Sequence, residues 1–312
     1  MAPSPPLIER PGDSDLMLSP TEERLESSRN LDALSHLEIL HMLNCEDRVA
    51  VDAVADALPE IAGVVDIAAT CFRAGGTVHY FGAGTSGRLG VLDAAELRPT
   101  FNLEAGRVVA HIAGGNVALV DAIEDAEDSE EAGRLDASEV ASGDVVIGLA
   151  ASGNTPYVGG ALAAGRTIGA TTVLISSNPH ARLAHLSDVN VVLNTGAEVL
   201  TGSTRLKAAT AEKLALNGFS TALMIAVGRT WSNLMVDVVA TNEKLRDRTV
   251  RILQDAADLD EEQAQQLLAD SEGELKTAII AAIAGTTIDD SRSLLNSNGG
   301  VVRDALAAAS AR

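Results

Sequence analysis

Three observations predict an α/β protein built on a parallel sheet with helices on both faces. From Gly75 onward, short β-branched runs alternate with helix-length segments, the pattern of strands joined by crossover helices. A glycine- and hydroxyl-rich turn, Gly82-Ala-Gly-Thr85-Ser86-Gly87, joins an apolar run to a helical pattern. Apolar residues make up 46% of a chain of 312, enough to bury a substantial core.

Between Ser27 and Ala74 apolar residues recur at three- and four-residue steps (Leu34, Leu37, Leu40, Leu43, then Val49 to Ile61), which reads as helix. Strands are expected at Thr77–Phe81, Val108–Ile112, Asp144–Leu149, Thr171–Ile175 and Val189–Leu193. The helix after the first strand carries Asp93 and Glu96 and should stop at Pro99. Ser203 to Val227 reads as one long helix, and Trp231 to Val239 continues in an apolar mode. From about Asp258 the chain reads as a compact helical unit, with cap-like signals at Asp258, at Asp270 or Ser271, and at Asp289-Asp290. Residues 1–20 hold five of the nine prolines and read as a disordered or docking arm rather than a leader. The division is therefore 1–20 as arm, 21–245 as the sheet domain with its N-terminal helices, and 246–312 as a small helical C-terminal domain.

Composition excludes several functions. A formal net charge of −21 argues against nucleic acid and against an anionic membrane surface, while leaving anionic small molecules open. Aromatics are 2%, so ring stacking is not the main mode of recognition. Cys45 and Cys71 make no disulfide framework and have no metal-ligand spacing, which points to a reducing cytoplasm. No stretch approaches the ~18 apolar residues of a membrane span.

Three strand-ending loops share one chemistry: Gly82 to Gly87 with Thr85 and Ser86; Ala151-Ser152-Gly153-Asn154-Thr155; and Thr201-Gly202-Ser203-Thr204-Arg205-Leu206-Lys207. Each joins glycine to hydroxyls that donate and accept, at the strand ends where parallel sheets bind ligands. Arg88, Arg205 and Lys207 add positive charge. The alternative is that these Ser and Thr are simply helix N-caps. GAGTSG also matches a dinucleotide fingerprint, but that site needs an acid at the end of the second strand, and Glu104 precedes it. Three hydroxyl loops fit a sugar phosphomonoester better. Acid–base work on a carbohydrate needs two carboxyl groups in different protonation states. Glu96 and the acidic run Asp121 to Asp128 are candidates, although most acids in this chain sit on solvated faces. The six histidines show no ligand or triad pattern.

Several long blocks resemble the N-acetylmuramic acid 6-phosphate etherases: GAGTSGRLGVLDAAE (82–96), HIAGG (111–115), IEDAED (123–128), ASGNTPYV (151–158), GAEVLTGSTRLKAATAEKLALN (196–217) and NLMVDVVATNEKL (233–245). TEERLESSRNLDALS (21–35) and NCEDRVAV (44–51) are similar to the family's N-terminal segments. The resemblance implies a flavodoxin-like sugar-isomerase (SIS) domain, a helical C-terminal domain and a homodimer with the active site near the subunit interface. It implies cleavage of the D-lactyl ether at C3, giving N-acetylglucosamine 6-phosphate and D-lactate, with no metal, nucleotide or other cofactor. By motif match Glu96 takes the acid position and Glu127 that of the second catalytic glutamate. Thr85, Ser86, Ser152, Asn154, Thr155, Ser203, Thr204 and Lys207 would hold substrate, and Glu198 is a reserve candidate for sugar contact or for the base. A non-catalytic sugar-phosphate sensor and a ketose–aldose isomerase are the alternatives on the same fold.

Two departures stand out. Asn154 occupies a position where the family usually has arginine, and Glu212 one where it usually has glutamine. One tension also remains: in an unbroken helix Glu96 lies about 15 Å beyond Ser86. Either that helix breaks after Gly90, or Glu96 serves a site placed elsewhere.

Overall fold

The computed structural model describes residues 19–237 and 243–311. The arm expected at 1–20 lies almost wholly outside the described residues, as does the middle of the 233–245 motif. The five expected strands form within a residue of their expected bounds: β1 (Val78–Gly82), β2 (Val108–Ile112), β3 (Val145–Leu149), β4 (Thr171–Ser176) and β5 (Val189–Val192). All pairs are parallel, in the order β2-β1-β3-β4-β5. This is the flavodoxin-like order, and its switch point lies between β1 and β3, beyond whose carboxyl ends a binding crevice opens.

Helices α1 (His36–Asp56), α2 (Leu58–Arg73), α3 (Gly84–Phe101), α4 (Glu130–Asp136), α5 (Pro156–Ile168) and α6 (Lys207–Ala226) cover the sheet. Strand side chains alternate between the two faces. Val78, Tyr80 and Ile147 join the core beneath α1, α2, α3 and α6, whereas Phe81, Val146 and Leu174 join the core beneath α4 and α5. Gly90 brings α3 down onto the sheet, because a Cβ there would meet Leu149 at 2.9 Å.

Local differences from expectation have local causes. The N-terminal helical stretch divides at Ala57, with Pro59 in the first turn of α2 where its missing N–H is harmless. A capping box between Ser35 and Glu38 starts α1. Pro99 does not stop α3. It costs one bond of the last turn, and the helix ends at Asn102, whose φ of 48° is tolerated by a short polar side chain.

A hairpin, β6 (Thr230–Trp231) and β7 (Leu234–Met235), precedes α7 (Glu243–Ala257), α8 (Glu261–Asp270), α9 (Leu275–Ala284), α10 (Ile288–Ser297) and α11 (Val302–Ser310). Their core gathers Leu253, Leu268, Ile279 and Val302, with Val236 and Trp231 packed among them. The caps differ from expectation. Asp260 with Gln263, not Asp258, boxes the start of α8, and Thr287 rather than the Asp289-Asp290 pair caps α10. Asp258 instead sits at φ 53° in the turn that ends the previous helix. Neither Asp270 nor Ser271 caps α9, whose N-cap Glu274 makes no side-chain cap bond. Arg229 fastens this unit to the sheet through Glu104 (2.8 Å) and Asp237 (3.1 Å).

Candidate active site

The chain leaves β1 through Ala83 and Gly84 and enters α3 directly, so that helix points its first backbone N–H groups into the switch-point crevice. Two of the three fingerprint glycines serve packing here. A Cβ on Gly82 would meet the Gly87 nitrogen at 2.7 Å, and one on Gly87 would meet the Gly82 oxygen at 2.7 Å. Their pairing lets strand end and helix start touch. Gly84, at φ 52°, makes the turn.

A cavity of about 370 Å³ lies in this crevice. It is walled by Thr85 and Ser86 from the first loop, Ser152 and Thr155 from the second, and Gly202 and Thr204 from the third. The three hydroxyl loops expected from sequence thus converge. Glu127 lines the same cavity, carried on a single 3₁₀ turn (Ala126–Asp128) that follows Asp125 at φ 61°. The guanidinium of Arg88 holds that loop by donating to the carbonyls of Leu119 and Asp121, both at 3.2 Å.

Other expected residues are placed elsewhere. Asn154 turns away: its side-chain oxygen accepts from the Arg182 amide at 2.9 Å, tying the second loop to the segment after β4. The Ser203 amide bonds to the Leu200 carbonyl, and the residue shapes the third loop without lining the cavity. Lys207 is buried and its ammonium meets Glu46 of α1 at 2.5 Å. Glu198 is fully buried and accepts from the Lys207 and Ala208 amides at 3.3 and 3.0 Å, so it caps α6. Burial pushes its carboxyl above the usual range, against the pull of those amides and of Lys207. Glu96 is exposed on α3, which runs unbroken past it. The helix break after Gly90 that would have brought Glu96 back toward Ser86 does not occur.

Two acids near the pocket were not among the residues expected to serve the site, although Glu212 stands out in the sequence as a departure from the family's usual glutamine. Glu22 lines the cavity because the Gly202 amide donates to the Thr21 carbonyl, drawing the N-terminal segment across the third loop. Glu212 lies beneath the floor on α6, where its carboxyl accepts the Ser86 hydroxyl at 2.7 Å. It is 4% exposed, and burial pushes it up to about 7. A larger cavity, about 560 Å³, lies between Asn102 and the C-terminal helices. Both cations that line it are already paired, Arg292 with Glu274 and Lys276 with Asp237, so among the described residues it offers no free cation for an anionic ligand.

Fold and pocket together define a doubly wound α/β protein whose ligand site is a hydroxyl-lined cup at the sheet's switch point. A model of the glucokinase regulatory protein N-terminal SIS domain matches residues 60–166, placing the sheet in the SIS class. An N-acetylmuramic acid 6-phosphate etherase from Thermobifida fusca (strain YX) is 51% identical, covering 86% of this chain and 88% of the relative. Another from Edwardsiella ictaluri (strain 93-146) is 46% identical, covering 92% and 96%. A solved phosphoheptose isomerase from Francisella tularensis, 17% identical, covers 61% of this chain and 98% of that chain with a TM-score of 0.47. The chain belongs to the N-acetylmuramic acid 6-phosphate etherase family.

Proposed function

We propose that the protein cleaves the D-lactyl ether of N-acetylmuramic acid 6-phosphate, releasing D-lactate and N-acetylglucosamine 6-phosphate, as its family membership indicates. The observation that carries the reading is the meeting of Thr85, Ser86, Ser152, Thr155 and Thr204 with the Glu127 carboxylate in a single cup, which Glu22 also lines. The hydroxyls and the α3 N-terminus bind the phosphate. Glu127 stands beside the sugar.

An ether oxygen leaves poorly, so elimination is the accessible route. In the ring-opened sugar the C1 aldehyde acidifies the neighbouring C2–H. Glu127 removes that proton, the C2 electron pair forms a C2=C3 double bond, and the C3–O bond breaks as an acid protonates the departing lactate oxygen. Water then adds at C3 and a proton returns to C2, which restores a saturated sugar. Glu127 is the base in this scheme because Glu198 is occupied as the cap of α6.

The acid is Glu96, supplied by a second copy of the chain. Support comes from its exposed place on α3, one turn beyond Leu92, which is itself 51% exposed. Leu37 and Leu40 on α1 are 63% and 61% exposed, an apolar stripe suited to a partner subunit. Among the described residues no helix is long and apolar enough to cross a membrane. We place the homodimer in the cytoplasm, acting on peptidoglycan-derived amino sugars without nucleic-acid or membrane partners.

Release of D-lactate from the phosphorylated muramic sugar is the deciding assay. Mixing inactive Glu96→Gln and Glu127→Gln proteins should restore about a quarter of wild-type turnover, because random two-fold pairing rebuilds one intact site in half the dimers. Binding without lactate would indicate a sensor, and conversion of fructose 6-phosphate an isomerase.

A further inference from the structure

The cup's floor holds a carboxyl that the elimination does not use. Glu212 Oε2 accepts the Ser86 hydroxyl, and its Oε1 is buried with no hydrogen-bond partner. An ionised carboxylate only accepts, so it captures the single proton that Ser86 can donate. A phosphate dianion also only accepts. Both anions cannot take the same hydroxyl proton. If Glu212 is a neutral acid, its own O–H donates to Ser86, and Ser86 is freed to donate into the cup.

We propose that Glu212 is a positioning residue that sets the polarity of Ser86, so that a sugar phosphate binds only when the Glu212 carboxyl is protonated and is released as it ionises. The proposal rests on the reading of the cup as a sugar-phosphate site. The causes of the raised Glu212 value are burial, opposed by the Ser86 bond, with no charged neighbour contributing. Several charged groups on α1, α2, α3 and α6 near this seam are engaged or directed elsewhere. Asp93 and Arg88 of α3 bond to Tyr80 and to loop carbonyls, Glu46 of α1 pairs with Lys207, and Arg73 of α2 donates to the Ala226 carbonyl. Glu198 is held at the start of α6, and Lys213 next to Glu212 acts on Asp93. Glu22 and Glu127 face the cup itself.

The test is calorimetric binding of N-acetylglucosamine 6-phosphate from pH 6 to pH 8, for wild type and Glu212→Gln. The glutamine amide donates to Ser86 at every pH and mimics the protonated acid. With a competent fraction of about one in eleven at pH 8, wild type should bind about tenfold more weakly than the variant, and the ratio should approach one at pH 6. Any other pH dependence, of the ligand or of the rest of the cup, is common to both proteins and cancels in the ratio. A second readout uses wild type alone: at pH 8, binding should take up close to one proton, seen by comparing buffers of different ionisation heat. Placing Glu212→Gln in a Ser86→Ala background should leave affinity the same as in Ser86→Ala alone. A ratio that stays flat with pH, or binding without proton uptake, overturns the proposal while leaving the sugar-phosphate site standing. Absence of binding in both proteins at every pH overturns both.

Discussion

Two buried carboxyl groups lie along the seam between α3 and α6, and they are treated in opposite ways. Asp93 at the deep end is 4% exposed and accepts from Tyr80 (3.0 Å), Asn217 (3.0 Å) and Ser220 (2.9 Å). Glu212 at the pocket end is equally buried, yet it holds one bond and leaves an oxygen unpartnered. Burial raises both groups, but Asp93 has three donors opposing it and Glu212 has one. A saturated buried acid ties elements together; an unsaturated one beside a cavity can change state when a ligand arrives.

The largest expected effect tests whether chemistry is confined to the pocket end. Glu127→Gln should lower lactate release by about 10²–10⁴-fold, with unfolding by urea unchanged. Comparable activity to wild type would remove Glu127 from the mechanism. Next, Asp93→Ala should cost about 3 kcal/mol in urea unfolding, because three buried donors lose their acceptor, while KM of the folded enzyme stays within a factor of two or so. A change in KM with no loss of stability would erase the division between the two ends.

Glu212→Gln should act oppositely, and only in a defined pH window. The folded value lies near 7 against an ordinary 4.5, so the native state retains a proton that the unfolded chain has lost. The stabilisation of the neutral form is fully present below 4.5 and is lost as pH rises through about 7. The variant should therefore gain up to about 3 kcal/mol over wild type at pH 8 and nothing near pH 4.5. Equal stability across that range would mean the carboxyl is not buried as described. The smallest effects belong to single pocket hydroxyls. Thr85→Ala or Ser152→Ala should each weaken sugar-phosphate binding by about three- to tenfold in a calorimetric titration.

A histidine pair on the sheet, with His79 buried and His111 half-buried, bounds the acid side of stability. His79 and His111 approach at 3.2 Å on adjacent strands, and burial lowers both. Their neutral forms stabilise the fold above the ordinary value of 6.5, and that contribution is lost as pH falls below it and the unfolded histidines take up protons.

Much of the architecture was legible along the chain. The strands were found because β-branched runs with a parallel sheet's double burial stand between turn residues. The three loops were found because glycine and hydroxyls recur where strands end. The caps of α8 and α10 were misplaced by about two residues, since several acids near each boundary could serve and only the turn geometry chooses among them. Lys207 reads as a ligand from its place in the third loop and Glu198 as a reserve candidate from the family resemblance, whereas the packed fold uses one to pair Glu46 and the other to cap a helix.

The sequence by itself determined the order of elements and the chemistry of the loops, because periodicity and turn composition act over a few neighbouring residues. Only the tertiary structure decided which acids meet the cup. Glu22 enters through the bond that the Gly202 amide donates to the neighbouring Thr21 carbonyl, Glu212 through the rotational setting of α6 against α3, and Glu96 is turned outward by an unbroken helix. Each of those outcomes depends on how rigid elements far apart in sequence pack together, and no local pattern carries that information.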